Sequence, residues 1–440
     1  MSAAQTWITA GKFDREITTL YSDSIFNKLY AGGWFMSTDG MLTRGVAQWN
    51  GLQWDSLQSG VEDYNQVSHQ KIWRFIRFKN NINLLGAFDK VGHVFSKSIA
   101  KWNGISWDSL TPVPNDAIFN AYVVNGNLFI TGAFDSIGAL LANGLAAFDD
   151  TSWFSVHAIP KFDIDGVSNN LITAVVEYQN TLFVGGNFYG DSGLVDISYW
   201  NGQQWKDVAG GLKGNLSEIT CMTIFQNKLY VAGYFRMSDG NAGNSIMYWD
   251  GNTWNDVGGG VGGFAYSSIR DMKVIDGDLY VVGYFLTAGG ITANNIAKWD
   301  GIKWCGFRSN FDNVINSIVQ YNDSIFIGGA FQVIENDSVS FIAKLNAASY
   351  SDTCSAIGIS EIDFKNGFTI YPNPAQSLIT IYCPVQPNKI YIQDITGRTL
   401  ECNSFSARDL TIDISDMNGG IYFLKAITVD GPITRKFVKE

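Results

Sequence analysis

At 440 residues the chain is too long for one ordinary core. Its 46 glycines, 14% aromatic and only 16% charged residues, with no long amphipathic helical pattern, point to an all-β chain of many short strands. A net charge of −11 with no local Lys/Arg cluster excludes a phosphate backbone as partner, and no run of about 18 apolar residues exists to cross a bilayer, so neither nucleic acid nor a transmembrane segment is expected.

The N-terminal "MSAAQTW" has neither the basic nor the apolar region of a signal peptide, although "AAQ" after the initiator suits the downstream side of one already removed. Next comes an isolated strand, "TWITAG" at 6–11, and then a repeat. A Gly-x-Phe signal recurs at Gly33-Phe35, Gly86-Phe88, Gly132-Phe134, Gly186-Phe188, Gly233-Phe235, Gly283-Phe285 and Gly329-Phe331. Each is followed by an aromatic hairpin signal: "WNGLQW" from Trp49, "WNGISW" from Trp102, "FDDTSW" from Phe148, "WNGQQW" from Trp200, "WDGNTW" from Trp249 and "WDGIKW" from Trp299. In the seventh copy, "LNAAS" from Leu345, the second Trp is missing.

Within one unit, residues 269–305, four strands are read: "IRDMKVI", "LYVVGYF", "NIAKWD" and "KWCGF". "DGD" and "DG" supply the positive φ of tight hairpin turns, and "LYVVGYF", apolar on both faces, suits a strand sandwiched between neighbouring sheets. Four antiparallel strands at a period near fifty make a propeller blade, and seven units predict a seven-bladed β-propeller over 5–348. "TWITAG" matches the fourth strand of other units, so Trp7 is expected to complete blade seven and close the ring. The repeat resembles those of kelch and fungal cortical-polarity-marker propellers; the resemblance implies the fold and carries no activity with it.

Ligands are expected on the side of the longer connections, such as "DKVGHVFSKS" at 89–98 and "RMSDGNAGNS" at 236–245. There Asp39, Asp89, Asp135 and Asp239 could accept hydrogen bonds from sugar hydroxyls beside Trp34 and Tyr234, or else serve as turn formers bonded to their own backbone. "FDIDGVSNN" at 162–170 sets Asp163, Asp165 and Asn169 in the manner of a calcium loop but lacks the distal glutamate, so no metal and no cofactor are expected. His69, His93 and His157 fall in different units without a nucleophile motif, so no catalytic residue is assigned and a non-enzymatic role is preferred. The alternatives are a carbohydrate-active enzyme with carboxylates at the mouth of the central channel, or a structural surface protein.

Beyond a polar linker at 349–362, a small β-sandwich is read over 363–440. Its Tyr371-Pro372-Asn373-Pro374, the Asp394-Ile395-Thr396-Gly397-Arg398 turn, Gly420-Ile421-Tyr422 and a final strand ending at Lys439 resemble the type A C-terminal sorting domain of the Bacteroidota type IX secretion system. That resemblance implies handling by the type IX machinery and a secreted or outer-membrane-surface location, which makes an extracellular glycan or protein the expected partner of a monomeric chain. Five cysteines show no C-x-x-C spacing. Cys221, in "ITCMTIF", reads as a buried thiol, and export favours pairing Cys383 with Cys402 and Cys305 with Cys354.

Overall fold

A computed structural model describes residues 7–62, 71–156, 171–190, 194–214, 216–307, 309–345, 354, 369–382, 389–394, 398–404, 409–428 and 431–440. The chain is all-β apart from a single 3-10 turn at Met237–Asp239 among the described residues. It divides into two compact units, Met1–Cys354 and Ser355–Glu440.

The described residues of the first unit hold seven four-stranded antiparallel sheets. Their innermost strands, Ile17–Asp23, Lys71–Phe78, Ile118–Val124, Leu171–Tyr178, Glu218–Phe225, Ser268–Ile275 and Ile315–Tyr321, each touch the next, and the last touches the first. The sheets therefore stand as the blades of a propeller around one axis, numbered here 1 to 7 in chain order.

One local device explains the Gly-x-Phe repeat. Every innermost strand carries a β-bulge at the same place, at Thr18, Trp73, Phe119, Thr173, Thr220, Arg270 and Asn316, opposite the glycine of the neighbouring strand. The bulge drives a carbonyl onto that glycine. A Cβ built on Gly86 would lie 2.2 Å from the Lys71 oxygen, and one on Gly186 would lie 1.9 Å from the Leu171 oxygen. No side chain fits there. The phenylalanine two residues on points into the seam between blades: Phe35, Phe134, Phe285 and Phe331 expose nothing at all. Each such ring contributes about 1.5–3 kcal/mol by burial.

The second signal is a hairpin with a cross-strand aromatic pair. Trp49 stands opposite Trp54, Trp102 opposite Trp107 and Trp299 opposite Trp304, with ring centroids 5.5, 5.0 and 5.3 Å apart. The Asn or Asp after the first Trp closes the turn, as when Asn50 Oδ1 accepts the N–H groups of Leu52 and Gln53. The second indole then ties its blade to the preceding one: Trp54 Nε1 donates to the Ala10 oxygen at 2.7 Å and Trp304 Nε1 to the Val257 oxygen at 2.7 Å.

Blade 7 takes its outer strand from the start of the chain, where Trp7–Thr9 pairs with Ile342–Leu345. A disulfide between Cys305 and Cys354 ties the outer strand of blade 6 to the last residue of the unit. The connections at 89–98 and its counterparts, read above as long loops, contain short hairpins, for example Lys90–Val91 with Val94–Phe95.

In the second unit a three-stranded and a four-stranded sheet share one core of Ile379, Ile381, Ile390, Ile392, Ile412, Leu424 and Phe437. Asn373 clamps the final strand: its Oδ1 accepts the Val438 N–H at 2.9 Å and its Nδ2 donates to the Lys436 oxygen at 3.4 Å. The flanking Pro372 and Pro374 follow cis bonds and Tyr371 is exposed. Tyr422 packs on Phe437 and donates to the Asn418 oxygen at 2.7 Å, Gly420 stands opposite Lys439, and Asp394 Oδ1 accepts the Arg398 N–H. Gly397 and Cys383 lie outside the described residues, and for Cys402 only the strand is described, so their expected roles stay expectations.

Candidate functional site

The bulges decide what faces the propeller axis. A bulged residue points into the channel, and in four blades its side chain is used up stitching its neighbour. Thr18 Oγ1 donates to the Ile72 oxygen, Thr173 Oγ1 to the Ile219 oxygen, Thr220 Oγ1 to the Ile269 oxygen at 2.6 Å, and Asn316 Nδ2 to the Ile17 oxygen at 2.9 Å. In blades 2, 3 and 6 the same position holds Trp73, Phe119 and Arg270. These three wall a central cavity of about 690 Å³.

The cavity is lined by the first residues of the innermost strands and those just before them, together with Tyr266 and Tyr284. It thus opens where the connections between second and third strands leave the blades. Its rim carries Glu16, Lys71 and Glu218; deeper lie Thr19, Arg74, Asn120, Cys221, Asp271 and Ser317. Below that layer the axis is occupied by Tyr122, against which the Arg74 guanidinium rests at 5.7 Å, and by Lys273, 3.6 Å from Asp271. Asp271 Oδ2 also accepts Ser317 Oγ and the Ile318 N–H, each at 3.2 Å, while Ser317 Oγ accepts the Leu20 N–H at 3.0 Å.

Burial sets the ionisation of this group. It raises Glu218, opposed by Arg270, and it lowers Lys71, opposed by Glu16. Burial first and then Asp271 push the free Cys221 thiol up to about 12, so it is no nucleophile at neutral pH. Aromatic rings flank the rim on both sides. Lys71 Nζ lies 4.9 Å from the Trp34 ring and 5.7 Å from the Trp73 ring, which meets Phe119 edge-on at 5.0 Å. Across the mouth Tyr234 lies 5.7 Å from Tyr266, with the Arg236 guanidinium over both, and Phe264 stacks on Tyr284 at 4.2 Å.

Of the expected ligand residues, the structure places Trp34 beside the rim lysine, and Tyr234 in an adjoining cavity of about 380 Å³ that also includes Arg236 and Phe264. The four aspartates stand in the connections of four different blades. Asp39 Oδ1 accepts the Lys12 N–H at 2.9 Å, the Asp89 backbone N–H donates to the Glu62 oxygen, the Asp135 backbone N–H donates to Asn115 Oδ1, and Asp239 ends the 3-10 turn. His93 is exposed, whereas His69, His157 and the segment with Asp163, Asp165 and Asn169 lie outside the described residues. Sequence reading passed over Lys71, Trp73, Arg74, Phe119, Glu218 and Arg270. One signal was available: Trp73, Phe119 and Arg270 each precede their blade's glycine by the same spacing as Thr173 and Thr220 do theirs.

Residues 369–440 match the model of the secretion system C-terminal sorting domain. The chain therefore carries a type IX sorting tail and is exported to the cell surface or secreted, and among the described residues no helix is long and apolar enough to cross a membrane. No curated protein matches the chain. Two solved structures of the extracellular domain of BT4673 from B. thetaiotaomicron share 14% and 13% identity with it, at TM-scores of 0.47 and 0.49, covering 98% of this chain and 57% and 59% of theirs. PorZ of Porphyromonas gingivalis, a surface component of the type-IX secretion system, shares 16% identity at a TM-score of 0.47, with 100% of this chain and 61% of PorZ covered. The chain thus spans less than two thirds of the length of these proteins.

Proposed function

We propose that the chain is an exported, monomeric binding protein, displayed on the cell surface or released, whose propeller takes an extracellular glycan at the central cavity. The observation that carries this reading is the exposure of aromatic rings around a polar cup: Tyr266 is 63% and Tyr284 38% exposed beside Arg270, Glu218 and Asn316. Rings left open beside convergent polar groups suit a pyranose, whose C–H face packs on the ring while its hydroxyls reach the polar groups. A folded peptide loop is the competing partner. Asp39, Asp89, Asp135 and Asp239 remain candidate outer contacts for a longer glycan, and the tail acts as a separate address read by the type IX machinery.

Screening the full chain on a glycan array should find hits whose affinity falls about tenfold in Tyr266→Ala. An empty array would reject the reading. A second reading, hydrolysis, is favoured by one observation: burial raises the pKa of Glu218, the direction a general acid needs, and Glu16 lines the same cavity. Reducing-sugar release from any hit, abolished by Glu218→Gln, would establish it; binding without release supports the non-enzymatic role.

A further inference from the structure

We propose that the cavity selects an acidic sugar, a hexuronate unit, whose carboxylate is received by Arg74 at the cavity floor. The proposal rests on the glycan reading above and adds the class of sugar. Arg74 is half-buried and lines the cavity, its guanidinium lies over Tyr122, and among the described residues it makes no hydrogen bond or ion pair. A guanidinium presents five donors in a planar fork, and a partly desolvated one is stabilised by an oxygen pair of matching geometry.

The same strand shows what a purely structural arginine does. Arg77, three residues on, is held by the buried carboxylate of Asp23 through both Nε and a terminal nitrogen. Arg74 has no such partner, and the carboxylate of the floor layer, Asp271, is already engaged by Lys273, Ser317 and the Ile318 N–H.

Charge and shape then define the ligand. With Asp271 balanced by Lys273, the cup sets three cations, Lys71, Arg74 and Arg270, against two carboxylates, Glu16 and Glu218. One ligand carboxylate neutralises the excess, whereas a string of acids would meet the two rim glutamates. The bulge at Trp73 brings Lys71 and Arg74 to one wall, although residues three apart on a regular strand face opposite ways. A sugar whose carboxylate reaches Arg74 lies against Trp73 and Phe119, beneath Lys71.

Calorimetric titration of the full chain with methyl β-glucuronoside, methyl β-glucoside and N-acetyl-dialanine tests this. The glucuronoside should bind at least about tenfold more tightly than the glucoside. Arg74→Gln should erase that difference without lowering the melting temperature, and Arg74→Lys should retain part of it. Equal binding of the two glycosides, or a preference that survives in Arg74→Gln, overturns the proposal and leaves the glycan reading standing. Binding of the dipeptide in place of both glycosides overturns this proposal and the glycan reading together.

Discussion

Trp7, on the first strand of the propeller, stands directly opposite Leu345, on the last strand of the repeat, and its ring is completely buried. It packs on Phe307 and Phe311, each with ring centroids 6.0 Å away, within the core between blades 6 and 7. The ends of the unit are thus joined by a strand pair and by an aromatic wedge. Trp7→Ala should cost about 3–5 kcal/mol in chemical unfolding, and removing residues 1–12 should cost at least as much, because it also strips the partner from the edge at Ile342–Leu345. Unchanged midpoints in both variants would show that the ring does not depend on this closure.

The disulfide adds a covalent lock at the same place. Cys305 and Cys354 are separated by 49 residues, and the loop they close contains the three strands of blade 7 that come from the end of the repeat. Paired substitution to serine should lower stability by about 2–4 kcal/mol. Mild reductant should reproduce the loss in the native chain and have no effect on the double variant.

Glycines of the repeat should be intolerant for a reason that others do not share. In Gly283→Ala the new Cβ would sit 2.2 Å from the Ser268 oxygen and 2.8 Å from the Ile269 Cα, both backbone atoms, whereas in Gly262→Ala the nearest atom is 3.5 Å away. We expect a loss of at least about 2 kcal/mol for the first and under about 0.5 kcal/mol for the second. Similar melting temperatures for the two variants would contradict the bulge account.

Asp196 should make stability depend on pH. It is 1% exposed, its Oδ1 accepts the Phe188 N–H at 2.9 Å, and its Oδ2 meets Ser217 Oγ. Burial raises its pKa from 3.8 to about 6, against the lowering effect of those hydrogen bonds. The folded state therefore holds this proton more tightly than the unfolded chain does. The contribution is fully present below about pH 4 and is lost as pH rises through about 6. Blade 6 puts Asn295 in the equivalent place, accepting the Phe285 N–H and donating to the Asn313 oxygen. Asp196→Asn should flatten the melting profile between pH 4 and 7 and stabilise the protein at pH 7.5 by on the order of 2 kcal/mol. A variant with an unaltered pH profile would refute it.

What the sequence determined by itself is the repeat and the address. Gly-x-Phe is legible because each glycine answers a backbone clash within its own blade, and the Trp hairpins because an Asx turn and a cross-strand pair are local to six residues. The Pro-Asn-Pro segment and the final strand are legible as motifs, although the clamp of Asn373 on Val438 is visible only in the fold. The cavity was decided by tertiary structure. Lys71, Phe119, Glu218 and Arg270 come from four blades, and although they keep fixed spacings to their blades' glycines, nothing in the sequence says that those positions face one another; they meet because seven strands begin around one axis and each carries a bulge that turns one further side chain inward. Whether a bulged residue stitches its neighbour, as Thr220 does, or walls the cavity, as Trp73 does, follows its side-chain type, but that the next blade brings an isoleucine carbonyl within reach is decided only when the blades pack around the axis.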